Sequence, residues 1–208
     1  SILGNISLLK KLTPDDIRNH YDKYYAPNNA VIALAGSFDI EHAKKLVEKY
    51  YGGIPVGKPF TRNEFNEYDI KEEIKDTIYD NIQLPAKFIY YRVPAQGTKD
   101  YYALQILSSI LSKGESSLLN KKLVYDLSLA NEVDTSVTGM EQTSIFGVSA
   151  ISLKGRNLDI IGAAIDETMD EIHSGNIKDE EIEKVKNKIE TRTAFKKSSI
   201  VTLAENLS

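Results

Sequence analysis

The sequence predicts an α+β two-layer sandwich. Three observations carry that expectation: amphipathic helical stretches at both ends of the chain, apolar or alternating runs of strand length between them, and a hairpin signal late in the sequence. With 208 residues, 41% of them hydrophobic and 27% charged, the chain can bury a substantial core.

Thr13-Pro14-Asp15-Asp16 reads as a helix start: a hydroxyl N-cap, proline at the first helical position and acids near the positive end of the dipole. Ile17, Tyr21 and Tyr24 then share a face, and Pro27-Asn28-Asn29 stops the helix. Ala30–Ala35 (AVIALA) is an unbroken apolar run closed by Gly36. That is the pattern of a strand covered on both faces, so a central buried strand holding Val31, Ala33 and Ala35 is expected. Asp39 caps a second helix whose apolar face is Ile40, Ala43, Val47 and Tyr50, and Gly52-Gly53 ends it.

Pro55–Tyr68 has no clear period and reads as a surface connection. Strands are expected near Asp76–Gln83 and Lys87–Val93, on either side of Leu84-Pro85-Ala86. Thr98 opens a helix with Ala103, Leu104, Leu107, Ile110 and Leu111 facing inward, and a shorter helix covers Ser116–Asp126. Glu132–Gly139 and Thr143–Leu153 read as strands joined by a turn over Gly139–Gln142. Ile161, Ile165, Met169 and Ile172 form a helical stripe that Gly175 ends as a left-handed cap. Asp179 starts another helix, with Ile182, Val185 and Ile189 on one face. Nothing terminates the chain cleanly before Ser208, so the expectation is a piece of a longer protein.

Composition excludes several classes of function. A formal net charge of -4, without a basic stripe, gives no electrostatic footprint for nucleic acid. No apolar run reaches the length of a membrane span, and SILGNISLLKK lacks the basic and apolar regions of a signal peptide. The absence of cysteine rules out disulfides and thiolate metal sites. The compartment stays open: a soluble protein, periplasmic or cytoplasmic if bacterial.

The nearest approach to a zinc motif is Phe38-Asp39-Ile40-Glu41-His42. An inverted zinc helix needs two histidines four residues apart, and Phe38 stands where the first would be. A capped helix start explains the same residues. His20 and His173 lie near helix ends, where histidine suits the dipole, so none of the three histidines is assigned to metal. Ser116, Ser117, Ser198 and Ser199 have no Gly-x-Ser-x-Gly elbow, and Ser116-Ser117 reads as a cap. Gly97 and Gly114 stand alone, which leaves no phosphate-cradling loop. Glu180-Glu181-Ile182-Glu183 reads as a solvated first turn. Of 18 aromatics 12 are tyrosine, several in adjacent pairs (Tyr24-Tyr25, Tyr50-Tyr51, Tyr90-Tyr91, Tyr101-Tyr102). Such pairs place one ring in the core and the other at its wet margin. The catalytic, cofactor-binding and metal-binding sets read from these residues are all none.

The stretch Leu12–Pro55 resembles the pitrilysin/insulinase family of zinc metallopeptidases, which includes the mitochondrial processing peptidases. Tyr25-Ala26-Pro27-Asn28-Asn29-Ala30 is similar to the family's Tyr-x-Pro-x-Asn turn, and Ala35-Gly36-Ser37-Phe38-Asp39 to its Gly-x-Phe/Leu-Asp. Leu111–Val124 is similar to its Gly-x-Ser-Ser-Arg-Leu helix entry, with Leu118 in place of arginine. Active members carry His-x-x-Glu-His, which this chain lacks. In many members the partner half supplies an arginine and a tyrosine seven residues apart. Val124 and Asn131 stand at those positions here.

The resemblance implies a mixed, mainly antiparallel sheet packed against helices. It also implies that residues 1–208 are a single non-catalytic domain, the second domain of the zinc-bearing half of a longer multidomain chain. Zinc would sit on the preceding catalytic domain, with two histidines and a glutamate holding it and a further glutamate as general base. The implied partners are that preceding domain, a second family half (fused or separate) and a peptide substrate enclosed between the halves. A zinc-less binding or assembly subunit of the same family and an unrelated α+β interaction domain are the alternatives.

Overall fold

Among the described residues, three strands form in the stretches rich in β-branched and aromatic residues. They are β1 (Ala86–Pro94), β2 (Ala130–Thr138) and β3 (Thr143–Ser152), paired antiparallel in the order β1-β3-β2. The computed structural model describes residues 4–59, 61 and 70–207 and divides into two compact units. One is Lys75–Thr193, which holds the sheet; the other is Ser1–Ile74 with Ala194–Ser208.

In the sheet-bearing unit, β3 is the central strand, and alternation sets its two faces. Ser144, Phe146, Val148, Ala150 and Ser152 are buried, while the intervening residues face outward. Register places Val133 opposite Ala150, Thr135 opposite Val148 and Val137 opposite Phe146, so β2 adds its apolar residues to the same face. Helix α4 (Lys99–Ser112) is capped by Thr98, whose hydroxyl accepts from the Tyr101 N–H, and α5 (Leu158–His173) is capped by Asn157. Leu111 from α4 and Ile161, Ala164 and Ile165 from α5 close over the sheet with Leu119, Leu123, Val133, Phe146 and Val148. Gly175 has φ +82, the left-handed cap expected after α5. Helix α6 (Asp179–Lys197) begins with Asp179, Glu180 and Glu181 and buries Val185. The expected α+β sheet-and-helix architecture is present, and the three paired strands are all antiparallel.

The other unit contains α1 (Ile6–Leu9), α2 (Pro14–Tyr24), α3 (Ile40–Tyr51), the end of α6 and α7 (Ile200–Leu207). Both predicted starts form. Thr13 and Asp16 make a reciprocal capping box, and Asp39 accepts from the His42 N–H at 2.6 Å.

Two expected strands are absent among the described residues. Residues 30–35 pair with no strand among the described residues, and Val31 is 70% exposed, so the central buried strand holding Val31, Ala33 and Ala35 is corrected. A strand is completed only by a neighbour's backbone, and no strand forms among the described residues of that unit. Residues 76–83 are likewise irregular, with Ile78 and Tyr79 exposed. The expected connection Pro55–Tyr68 lies mostly outside the described residues, and 55–59 are irregular. The tyrosine pairs divide as expected at Tyr101 (7% exposed) and Tyr102 (59%), whereas Tyr50 and Tyr51 are both exposed.

Candidate functional site

Val124 and Asn131, where the chain departs from the family's arginine and tyrosine, lie in the segment that runs from the end of α4 into β2. The helical turn expected over Ser116–Asp126 is wound as a π segment, Asn120–Asp126, and the Leu127 N–H donates to the Lys122 carbonyl. Widening the turn lets Leu123 reach the core while Lys122 faces Glu167 and Glu171 of α5, at 2.9 and 3.8 Å. Ser128 then takes φ +48, a left-handed step that turns the chain into β2.

Val124 packs against the core cluster. Asn131 is exposed at a register shift between Ala130 and Glu132, where β2 bulges against β3. Positions 124 and 131 therefore present no cation and no phenol: one is an aliphatic packing residue, the other an amide at a bulge. Val124 has no donor to offer a developing oxyanion, and Asn131 offers a neutral amide in place of a cation or phenol.

The serine pair does not cap as expected. The Ser117 hydroxyl donates to the Gly114 carbonyl at 2.5 Å and accepts from the Asn120 side chain, while Ser116 accepts from the Lys184 ammonium at 2.5 Å. A helix cap would need either hydroxyl to accept from a backbone N–H one turn on. The histidines lie on three different helices: His20 within α2, 4.7 Å from the Tyr24 ring; His42 in the first turn of α3; His173 at the end of α5. Among the described residues, no group of three or more histidine, aspartate or glutamate side chains could hold a metal ion.

The two edges of the sheet differ. At the β2 edge, Thr135 turns its backbone away from β3, and α4 covers it. The Thr135 N–H donates to Ser112 Oγ at 2.8 Å, and Ser108 Oγ donates to the Thr135 carbonyl at 3.0 Å. Thr135 Oγ1, itself buried, donates to the Ser108 carbonyl at 2.8 Å. No further strand pairs with β1 among the described residues. On the outward face of β1, Phe88 and Tyr90 are 59% and 67% exposed, and their rings lie parallel, 6.4 Å apart. Tyr90 covers Gly147, where a Cβ would meet the ring at 3.0 Å. An open edge beside an aromatic face can accept an extended segment through backbone hydrogen bonds.

A model of the Peptidase M16 inactive domain matches residues 11–189. The chain belongs to that family. The pitrilysin/insulinase resemblance read from Leu12–Pro55 and Leu111–Val124 is thereby borne out. This M16 inactive domain is 24% identical over 194 residues to zinc protease PqqE of Helicobacter pylori, covering 88% of the chain and 42% of that protein. It is also 24% identical over 134 residues to the same organism's non-peptidase homolog YmxG, covering 63% of the chain and 30% of that protein. A crystal structure described as a protease from Helicobacter pylori shares its fold, with TM-score 0.79 and 23% identity over 97% of this chain and 50% of that one. The chain thus spans half or less of the length of these relatives. No helix among the described residues is long and apolar enough to cross a membrane.

Sequence reasoning missed the π winding, which has no local signature, and the closure of the β2 edge. The spacing of Ser108 and Ser112, four apart on the face of α4 that meets β2, could have signalled the closure.

Proposed function

We propose that the chain is a structural, substrate-enclosing domain of a zinc metallopeptidase acting on peptides, with the zinc site on a preceding domain. The observation that carries this reading is the match of the M16 inactive-domain model over residues 11–189. Residues 1–208 serve as one non-catalytic domain of a longer chain, and the enclosing chamber is completed by a second family half. The chain contributes no catalytic, cofactor-binding or metal-binding residue; Val124 supports it, being used for packing where the partner half of the family carries arginine.

The similarity to a protein named a non-peptidase homolog favours a second reading, a zinc-less binding or assembly subunit. The test is the full-length parent, purified and assayed for zinc content and for cleavage of unfolded peptides with and without chelator. Zinc near one per chain and chelator-sensitive cleavage are expected. A zinc-free, inactive parent would establish the second reading. In the active parent, Asn131→Ala should leave kcat within a few fold, less than about 1 kcal/mol of barrier. A hundredfold loss with folding intact would place Asn131 in the chemistry instead.

A further inference from the structure

Three lysines converge on the loop between α4 and the π segment. Lys113 follows the last residue of α4, while Lys184 and Lys188 lie one turn apart on α6. With Ser109, Ser116, Ser117 and Glu181 they line an open cleft, about 360 Å³ of space counting its mouth. Lys113 pairs with Asp134. Lys184 donates to Ser116 Oγ, and Lys188 donates to the Lys113 carbonyl at 3.1 Å. Neither Lys184 nor Lys188 has a carboxylate within ion-pair distance among the described residues.

Donors therefore outnumber acceptors in this cleft. An ammonium group carries three N–H donors, and Lys184 and Lys188 each use one on a neutral oxygen. Ser116 accepts from Lys184 and keeps its own proton to donate. Two cations one helical turn apart also repel each other, and Glu181 is the single carboxylate that lines the cleft. A ligand rich in acceptors and bearing more than one negative charge relieves both conditions at once, through charge-assisted hydrogen bonds.

We propose that this cleft is a binding site for a tetrahedral, doubly charged oxyanion of phosphate size, held by Lys184, Lys188 and Ser116. The anion can be free or the terminal group of a phosphorylated ligand. This site is independent of the peptidase reading and would serve either an active parent or a zinc-less subunit.

The test uses the whole 208-residue chain. Amide NMR spectra are recorded during titration with inorganic phosphate at constant ionic strength, with sodium chloride as the reference. Saturable shifts at Gly114–Ser117 and around Lys184–Lys188 are expected for phosphate and sulfate, and not for acetate. The double variant Lys184→Gln/Lys188→Gln should weaken phosphate binding by about tenfold or more, the loss expected on removing charged donors. Lys121→Gln, outside the cleft, should bind as the wild type does. A phosphoserine peptide that binds more tightly than inorganic phosphate assigns a phosphorylated ligand; equal or weaker binding assigns the free ion. Shifts that do not saturate, acetate binding as tightly as phosphate, or unchanged affinity in a folded double variant would each overturn the proposal.

Discussion

Asp16 shows how much local structure a single side chain can specify. Its carboxylate accepts from the Thr13 hydroxyl at 2.7 Å and the Thr13 N–H at 2.9 Å, and these bonds hold its pKa below the ordinary aspartate value, the side-chain bond contributing most. Because the folded-state pKa is depressed, the stabilising contribution is present above the unfolded pKa and is lost as pH falls through the folded one. An NMR titration of the Asp16 carboxyl should therefore find its midpoint below the usual carboxylate value. Thr13→Ala removes the hydroxyl and leaves the backbone donor, so the midpoint should move part of the way back. Identical midpoints in the two proteins would refute this account of the cap.

At the scale of elements, the packing of α4 against β2 is tied by hydroxyls rather than by apolar contact alone. Thr135 is buried, and Ser108 and Ser112, one turn apart, occupy its N–H, carbonyl and hydroxyl. An edge strand otherwise exposes such groups as a template for another chain. Thr135→Val keeps the shape but removes the hydroxyl, leaving buried serine and backbone groups short of a partner. The expected loss is about 1–3 kcal/mol, read from urea denaturation with an unchanged slope. Wild-type stability in this variant would show that the serines repair the contact by bonding elsewhere.

For the whole molecule, the expectation concerns metal. Zinc sites need three or four well-placed nitrogen, sulfur or carboxylate ligands. Here cysteine is absent, the three histidines lie on three different helices, and no ligand cluster of three exists among the described residues. Isolated carboxylates prefer harder ions and hold them weakly when solvated. Metal analysis of the tag-free chain after dialysis should find well under one zinc per chain, and the chain should not cleave unfolded peptides. One tightly held zinc, with chelator-sensitive cleavage, would contradict the inactive-domain assignment at its root.

The sequence by itself determined whatever depends on neighbours along the chain. Thr13, Asp39 and Thr98 cap helices because a cap joins residues three apart, and Gly175 ends α5 because a left-handed step needs no distant partner. The alternation in Thr143–Leu153 identified β3, and the Leu12–Pro55 and Leu111–Val124 motifs marked the family. Tertiary structure alone decided which apolar runs pair. Ala30–Ala35 is more uniformly apolar than Phe146–Ala150, yet among the described residues only the second has a strand on either side. Pairing is a property of two backbones, and one segment's composition carries no record of the other. The candidate cleft is of the same kind. Lys113 and Lys188 are 75 positions apart, and only folding turns two solvated charges into a shared surplus of donors.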